Sequence, residues 1–278
     1  MAAYENVTDW TCRHCVGEAD GTRFLAQVDL PHSSVRCYVA VSDRLRTLIL
    51  AFTGSNLDNL RTFLTDLDIR ASPWPPEAPA AWVHAGFLAS TLDGAPSILV
   101  ALRMHTAAYP DYEIAITGHS LGAAQAVLFT TYLVAREPTW AARLQVYTYG
   151  EPRVGNVAFA QYYTSLRVLT HRAVNRGDVV PHVPFQAWGF HHHGVEVWIR
   201  QGDGQVVVCP GTEHTACSMS LPATQWSVLD HFNYWGAVSY SRPNNFAWNI
   251  PVEQPGVVQT IRLPHNNGGT WPSTTLTH

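Results

Sequence analysis

Residues Ala115–Ala124 read AITGHSLGAA, and the fold turns on how they are taken. A short apolar run, led in by Tyr112-Glu113-Ile114, ends at Gly118. Ser120 follows, and Gly122 opens a small-residue, helix-favouring stretch. This is either a nucleophile held on a sharp strand-to-helix turn or an ordinary Gly-rich connection. Gly118-His119-Ser120-Leu121-Gly122 fits G-x-S-x-G, yet three fixed positions arise by chance in about one chain in ten of this length. Context decides. A nucleophile elbow needs a strand before it, a helix after it and no bulk beside the turn. Here EIAI precedes and AAQAVLFTTYL follows. The two glycines let Ser120 take a strained conformation with its hydroxyl exposed. The helix N-terminus supplies N–H groups and the positive end of a dipole to a developing oxyanion. Ser120 is therefore expected to be a nucleophile.

Outward from that turn, strand and helix patterns alternate. Arg36–Ser42 and Arg46–Thr53 read as strands joined by a DRL hairpin turn. Ser72–Trp82, SPWPPEAPAAW, reads as loop because of its prolines. His84–Tyr109 has helical periodicity, Ser120–Arg136 continues as helix, Arg143–Gly150 is a strand, Asn156–Leu166 a helix and Arg167–Val174 a strand. Gly194–Arg200 and Gly204–Cys209 alternate like a terminal hairpin, and a last helical piece begins near His231. The alternation predicts an α/β architecture, largely parallel in the middle. A single catalytic domain is expected over residues 1–240. Residues 241–278, rich in Asn, Pro, Gly and Thr, read as a surface-wrapping or partly disordered tail.

Bulk properties narrow the function. The chain has 278 residues, of which 46% are hydrophobic and only 14% charged, enough for a sizeable core. A net charge of −4, with no clustered Lys and Arg, leaves no footprint for nucleic acid. The longest apolar runs fall short of about 18 residues, so no transmembrane helix is expected. MAAYENVTDW lacks a basic region followed by an apolar one. Either the protein is not secreted or its signal segment is absent from this sequence. Asn6-Val7-Thr8 is a glycosylation sequon.

There are five cysteines. Cys12-Arg13-His14-Cys15 fits a redox pair, half a zinc site or a small structural disulfide. Cys209 and Cys217 flank a loop that a disulfide would staple. With no second C-x-x-C, a four-cysteine zinc site is disfavoured. The spacings read as a framework of two structural disulfides, with a reduced state as the alternative. Cys37 is left over in an apolar strand and reads as a buried, unreactive thiol.

A serine nucleophile needs a base, and the base needs a carboxylate to orient it. On an α/β-hydrolase-like fold the chain order is Ser, then Asp or Glu, then His. Asp178, in AVNRGDVVPHVP, follows a strand. Both His214 and His231 qualify as the base by order. His214 lies inside the Cys209–Cys217 loop, a constrained place for a group that must reach Ser120, so His231 is preferred. His191-His192-His193 resembles a ligand cluster, but consecutive residues on an extended chain point to alternate sides. No metal and no cofactor are expected.

The ordered segments AFTGS, VHAGF, PDYEIAITGHSLGAA, YTYGEPRVGN, NRGDVVPHVP, GVEVW and VLDHFNYWG closely resemble the filamentous-fungal class 3 lipases, Rhizomucor-type enzymes together with type A feruloyl esterases. The resemblance runs from about Cys12 to Gly236. It implies an α/β-hydrolase-like fold with Ser120 as nucleophile, Asp178 as orienting acid and His231 as base. It also implies an oxyanion hole from the backbone N–H groups of Ser55 and Leu121, and disulfides Cys12–Cys15 and Cys209–Cys217. An acylglycerol or other ester is the implied substrate, with a secreted, monomeric enzyme touching lipid transiently. The chain departs from the pattern at Thr53, where the family often has Arg, and in the tail after Gly236.

Lipases and feruloyl esterases share this machinery, so the segment after Ser55 matters. In residues 56–70, Leu57, Leu60, Phe63, Leu64 and Leu67 fall at helical spacing, and polar residues fill the other face. That is an amphipathic helix. It is either a surface helix seated on the core or a lid whose apolar face covers the site in water and turns outward on lipid. The apolar stripe favours a lipase over an esterase for soluble phenolic esters. Ser72–Trp82 then reads as the lid's return loop, with Trp74 and Trp82 as contact residues.

Overall fold

A computed structural model of the chain describes residues 7–12, 15–29, 36–53, 69–234 and 259–261. Ser55 and nearly all of the amphipathic stretch 56–70 lie outside the described residues.

Apolar runs form a sheet that has nine strands among the described residues. In sequence order its strands are β1 (Thr22–Asp29), β2 (Arg36–Ser42), β3 (Thr47–Phe52), β6 (Glu113–His119), β7 (Leu144–Tyr149), β9 (Leu169–Asn175), β11 (Val195–Ile199), β12 (Val206–Cys209) and β13 (Gln259–Ile261). They lie side by side in that same order. β3, β6, β7, β9 and β11 run parallel, while β1–β2–β3 and β11–β12–β13 are antiparallel. A second, four-stranded sheet orders β10 (Phe190–His191), β8 (Gly155–Asn156), β5 (Trp82–His84) and β4 (Ala71–Pro73).

Among the described residues three α-helices, α1 (Ala85–Ala108), α2 (Leu121–Arg136) and α3 (Val157–Ser165), pack on the two sheets. Two of them start on a side-chain cap. His84 Nδ1 accepts from the N–H groups of Gly86 and Phe87 at the head of α1. Asn156 Oδ1 accepts from Phe159 N–H at the head of α3. Such side-chain acceptors satisfy donors that the first helical turn leaves unpaired. Val39, Leu50, Ile116 and Val146 of the sheet pack under Ile98 and Leu102 of α1 and Phe129 and Leu133 of α2, all buried. Burial of such side chains is worth about 1.5–3 kcal/mol each before entropy is subtracted. α1 is long and apolar enough to cross a bilayer, with a mean hydropathy of 1.4 over its most apolar window. Its Ala95, Ile98, Leu99 and Leu102 are instead spent on this core.

Several sequence expectations need correction. Thr22–Asp29 forms an edge strand that the pattern does not announce, because a bulge between Phe24 and Ala26 breaks its alternation. The ends of the expected loop Ser72–Trp82 pair as β4 and β5. Trp74 sits against the core and donates from Nε1 to Thr131 Oγ1 at 2.9 Å, and Trp82 meets Phe190 edge-on. Both are anchors of this loop. The helical piece at His231 is a three-residue 3-10 turn, Asp230–Phe232. The β11–β12 hairpin is not terminal, since residues 259–261 of the tail pair with β12. The cysteines form Cys12–Cys15 and Cys209–Cys217 disulfides, and Cys37 remains a buried thiol 3.8 Å from Val28 O.

Candidate active site

The C-terminal ends of β6, β7 and β9 present the site. Ser120 stands between β6 and α2 with φ 58° and ψ −127°, a conformation that side-chain-bearing residues rarely adopt. Its N–H donates to Tyr149 O at 3.0 Å, and its carbonyl accepts from Ala123 N–H at 3.0 Å. The glycines are required by close approach. A Cβ on Gly118 would lie 2.2 Å from Gly122 O, and one on Gly122 would lie 2.6 Å from Thr53 O. Phe52 and Thr53, at and just past the end of β3, are thus pressed against the first turn of α2. Leu121 is the first residue of α2, where N–H groups lack intrahelical acceptors.

Asp178 and His231 are both fully buried and meet face to face: Nδ1 of His231 is 2.9 and 3.0 Å from the two carboxylate oxygens. The acid is fixed by its own loop, its Oδ1 accepting from Val180 N–H at 2.9 Å and its N–H donating to Asn175 O at 2.9 Å. The histidine loop is stitched to the acid loop. Asn175 Nδ2 donates to Asp230 O at 3.0 Å, Gly177 N–H to Asp230 Oδ2 at 3.2 Å, and Ser227 N–H to Gly177 O at 2.7 Å. With Nδ1 turned to the acid, the buried Nε2 of His231 has no hydrogen-bond partner among the described residues. His214, the rival base, accepts from Ala216 N–H at 3.2 Å within its own loop.

Three residues of the site went unread in the sequence. Gly150 ends β7 with φ +57°, and a Cβ there would lie 2.7 Å from both Asp178 Oδ2 and His231 Nδ1. A glycine closing a strand pattern in YTYG was its available signal. Tyr234 donates its hydroxyl to Asp178 Oδ2, and burial with that carboxylate nearby raises the phenol well above its ordinary range. It stays a donor. His119, between Gly118 and Ser120, packs its ring 4.3 Å from that of His231. Burial, then the nearby His231, pushes its pKa down to about 3. Nothing in residue type or spacing marks either one.

The histidine run does not converge. Within the two-residue strand and the turn after it, His191 meets Thr212 Oγ1 at 3.0 Å, His192 meets Pro181 O at 2.7 Å and His193 meets Glu151 at 2.8 Å. A hydroxyl on a strained turn beside a helix start, with a buried histidine–carboxylate pair at the neighbouring strand ends, has the parts of nucleophilic acyl transfer.

The mainly parallel sheet with helices on its flanks is an α/β-hydrolase-like fold. Residues 49–188 match the family described as lipase (class 3), and the chain belongs to that family. It is 38% identical over 229 residues to the lipase of Rhizopus niveus, covering 81% of this chain and 57% of that protein. To the lipase of Rhizomucor miehei it is 37% identical, covering 82% of this chain and 62% of the other. The chain therefore spans rather more than half the length of these relatives. The solved lipase of Rhizopus microsporus var. chinensis superposes with a TM-score of 0.80 at 35% identity, covering 85% of this chain and 83% of that one.

Proposed function

We propose that the chain is a serine ester hydrolase that cleaves acylglycerols at a lipid–water interface. The observation that carries this reading is the strained Ser120 at the head of α2, with the buried His231–Asp178 pair at the neighbouring strand ends. Nε2 of His231 takes the proton of Ser120 as its oxygen attacks the ester carbonyl. Asp178 holds the imidazole and balances its charge. The N–H groups of Leu121 and Ser55 receive the oxyanion. The alcohol leaves with the proton from His231. Water, deprotonated by His231, then frees the acid. No cofactor enters the scheme.

The family and the apolar stripe Leu57, Leu60, Phe63, Leu64 and Leu67 support a lipase with residues 56–70 as its lid. The two disulfides support an exported enzyme, since such bonds persist in oxidising compartments. A monomer is expected, checked by size-exclusion chromatography with light scattering. The test of function is a pH-stat titration of a long-chain triglyceride emulsion beside methyl ferulate, with Ser120→Ala as control. Acid release from the emulsion that rises above the solubility limit and vanishes in the variant is the expected result. Turnover of methyl ferulate alone would move the enzyme to the soluble-ester branch. Emulsion turnover undiminished by Ser120→Ala would end the proposal.

A further inference from the structure

The base stands on a short support. His231 belongs to a three-residue 3-10 turn, and the bonds already described tie that turn to the acid loop through Asn175, Gly177 and Ser227. They fix His231 relative to Asp178. They do not fix it relative to Ser120, which rides on a different strand. His119 makes that second connection. It is the residue before the nucleophile, at the end of β6, and its Nε2 lies 2.7 Å from the backbone carbonyl oxygen of His231. A carbonyl only accepts, so Nε2 carries the proton and donates. The same ring lies 4.3 Å from the imidazole of His231, tilted by 32°, and meets the ring of Tyr234 at 5.7 Å edge-on and that of Phe232 at 6.5 Å. Tyr234 in turn holds Asp178. One side chain, a single peptide unit from the attacking oxygen, thus touches the main chain and ring of the base and the tyrosine that holds the acid.

Resting on the triad reading above, we propose that His119 is a positioning residue: its Nε2–H bond to the His231 carbonyl sets the distance between nucleophile and base. Reacting groups must sit within a few tenths of an ångström of a productive geometry, and displacement by about 1 Å costs on the order of 100-fold in rate. Through the covalent chain and this bond, any shift of the Ser120 turn carries His231 with it. Nothing in this role requires contact with substrate, so binding is left untouched.

The test compares His119→Phe, which keeps a flat ring and loses the donor, with His119→Gln, whose amide N–H reaches to about the same place. On a soluble short-chain p-nitrophenyl ester, the Phe variant loses about 10- to 100-fold in kcat at unchanged KM, and the Gln variant recovers to within about threefold of wild type. A folded Phe variant with wild-type kcat, or a Gln variant as impaired as Phe, overturns the proposal. Should the Phe variant not fold, histidine-selective 15N NMR on the wild-type protein decides. The expected signal is a neutral Nε2–H tautomer of His119 across neutral pH; an Nδ1–H tautomer or a charged ring overturns it. Labelling with a fluorophosphonate, located by mass spectrometry, separates the two levels. Absence of an adduct on wild-type Ser120 would remove the triad reading itself. An adduct formed at the wild-type rate in the Phe variant would remove only the role of His119.

Discussion

Two buried histidine–carboxylate pairs lie among the described residues, and their chemistry is nearly the same. His231 meets Asp178 at 2.9 Å, and His193 meets Glu151 at 2.8 Å. Both carboxylates take a hydroxyl, from Tyr234 in one case and from Thr148 in the other. Both histidines keep one ring nitrogen buried and without a hydrogen-bond partner among the described residues. The surroundings differ. The pair on the acid loop lies at the strand ends, against Gly150 and the His119 ring beside Ser120. The other is wrapped by the body of the fold, the ring of His193 lying 4.1 Å from that of Tyr163. A histidine–carboxylate pair is therefore not a catalytic device by itself. What sets the first pair apart is its place beside the strained Ser120 turn, which it meets through the ring of His119.

The largest effect that would break this comparison is at the acid. Asp178→Asn keeps the shape but removes the charge that selects the tautomer of His231, and kcat is expected to fall on the order of 10⁴-fold with the fold intact. Retention of kcat within tenfold, measured on a soluble ester with circular dichroism as the check on folding, would mean the two pairs are equivalent. Next is Gly150→Ala. Its φ of +57° and the 2.7 Å approach to Asp178 Oδ2 and His231 Nδ1 oblige the pair to move, for an expected loss of about 100-fold in kcat. Smaller again is Tyr234→Phe, which removes one of the bonds holding Asp178 but leaves Val180 N–H in place; about a fivefold loss in kcat is expected, equivalent to one net hydrogen bond.

The contrast also shows what could be read from residues alone. The strand-to-helix turn at Ser120 was legible because its signal is local: glycines two positions away on each side, an apolar run before and a helical run after. The parallel middle of the sheet was legible for the same reason, each strand being a short β-branched run between turns. The meeting of Asp178 with His231 was legible by chain order, and Gly150 was within reach. Tyr234 and His119 were not, because their roles exist only through contacts that span the fold: Tyr234 lies 56 residues from Asp178 and His119 lies 112 from His231. The strand β1 was hidden by its bulge. The second pair was hidden inside the run His191-His192-His193, whose composition suggests a ligand cluster while its backbone sends each ring to a separate partner.

The second pair gives the reciprocal test. Glu151→Gln breaks the bond to His193 and weakens that from Thr148, both buried. It is expected to destabilise the fold by about 1–3 kcal/mol while kcat stays within about twofold, measured by urea unfolding beside ester turnover. A collapse of kcat in a stable variant would give Glu151 a place in the chemistry.

The smallest effect at neutral pH comes from buried histidines that face no carboxylate bond, and it grows in acid. Burial, then Arg153, lowers His182 to about 4; burial with Arg172 and Arg153 lowers His192 well below its ordinary value of 6.5. In the unfolded chain these rings bind protons near pH 6.5, and in the native state they do so only far lower. Between about pH 6.5 and 4 the unfolded state therefore holds more protons, so stability is full above that window and drains away as pH falls through it. Thermal unfolding followed from pH 7 to pH 4 should show the midpoint falling. His182→Phe, which keeps a flat ring against Trp226 where the two now stack at 4.3 Å, should flatten that fall while leaving ester turnover at neutral pH unchanged. A slope as steep in the variant as in the wild type would show that the acid sensitivity originates elsewhere.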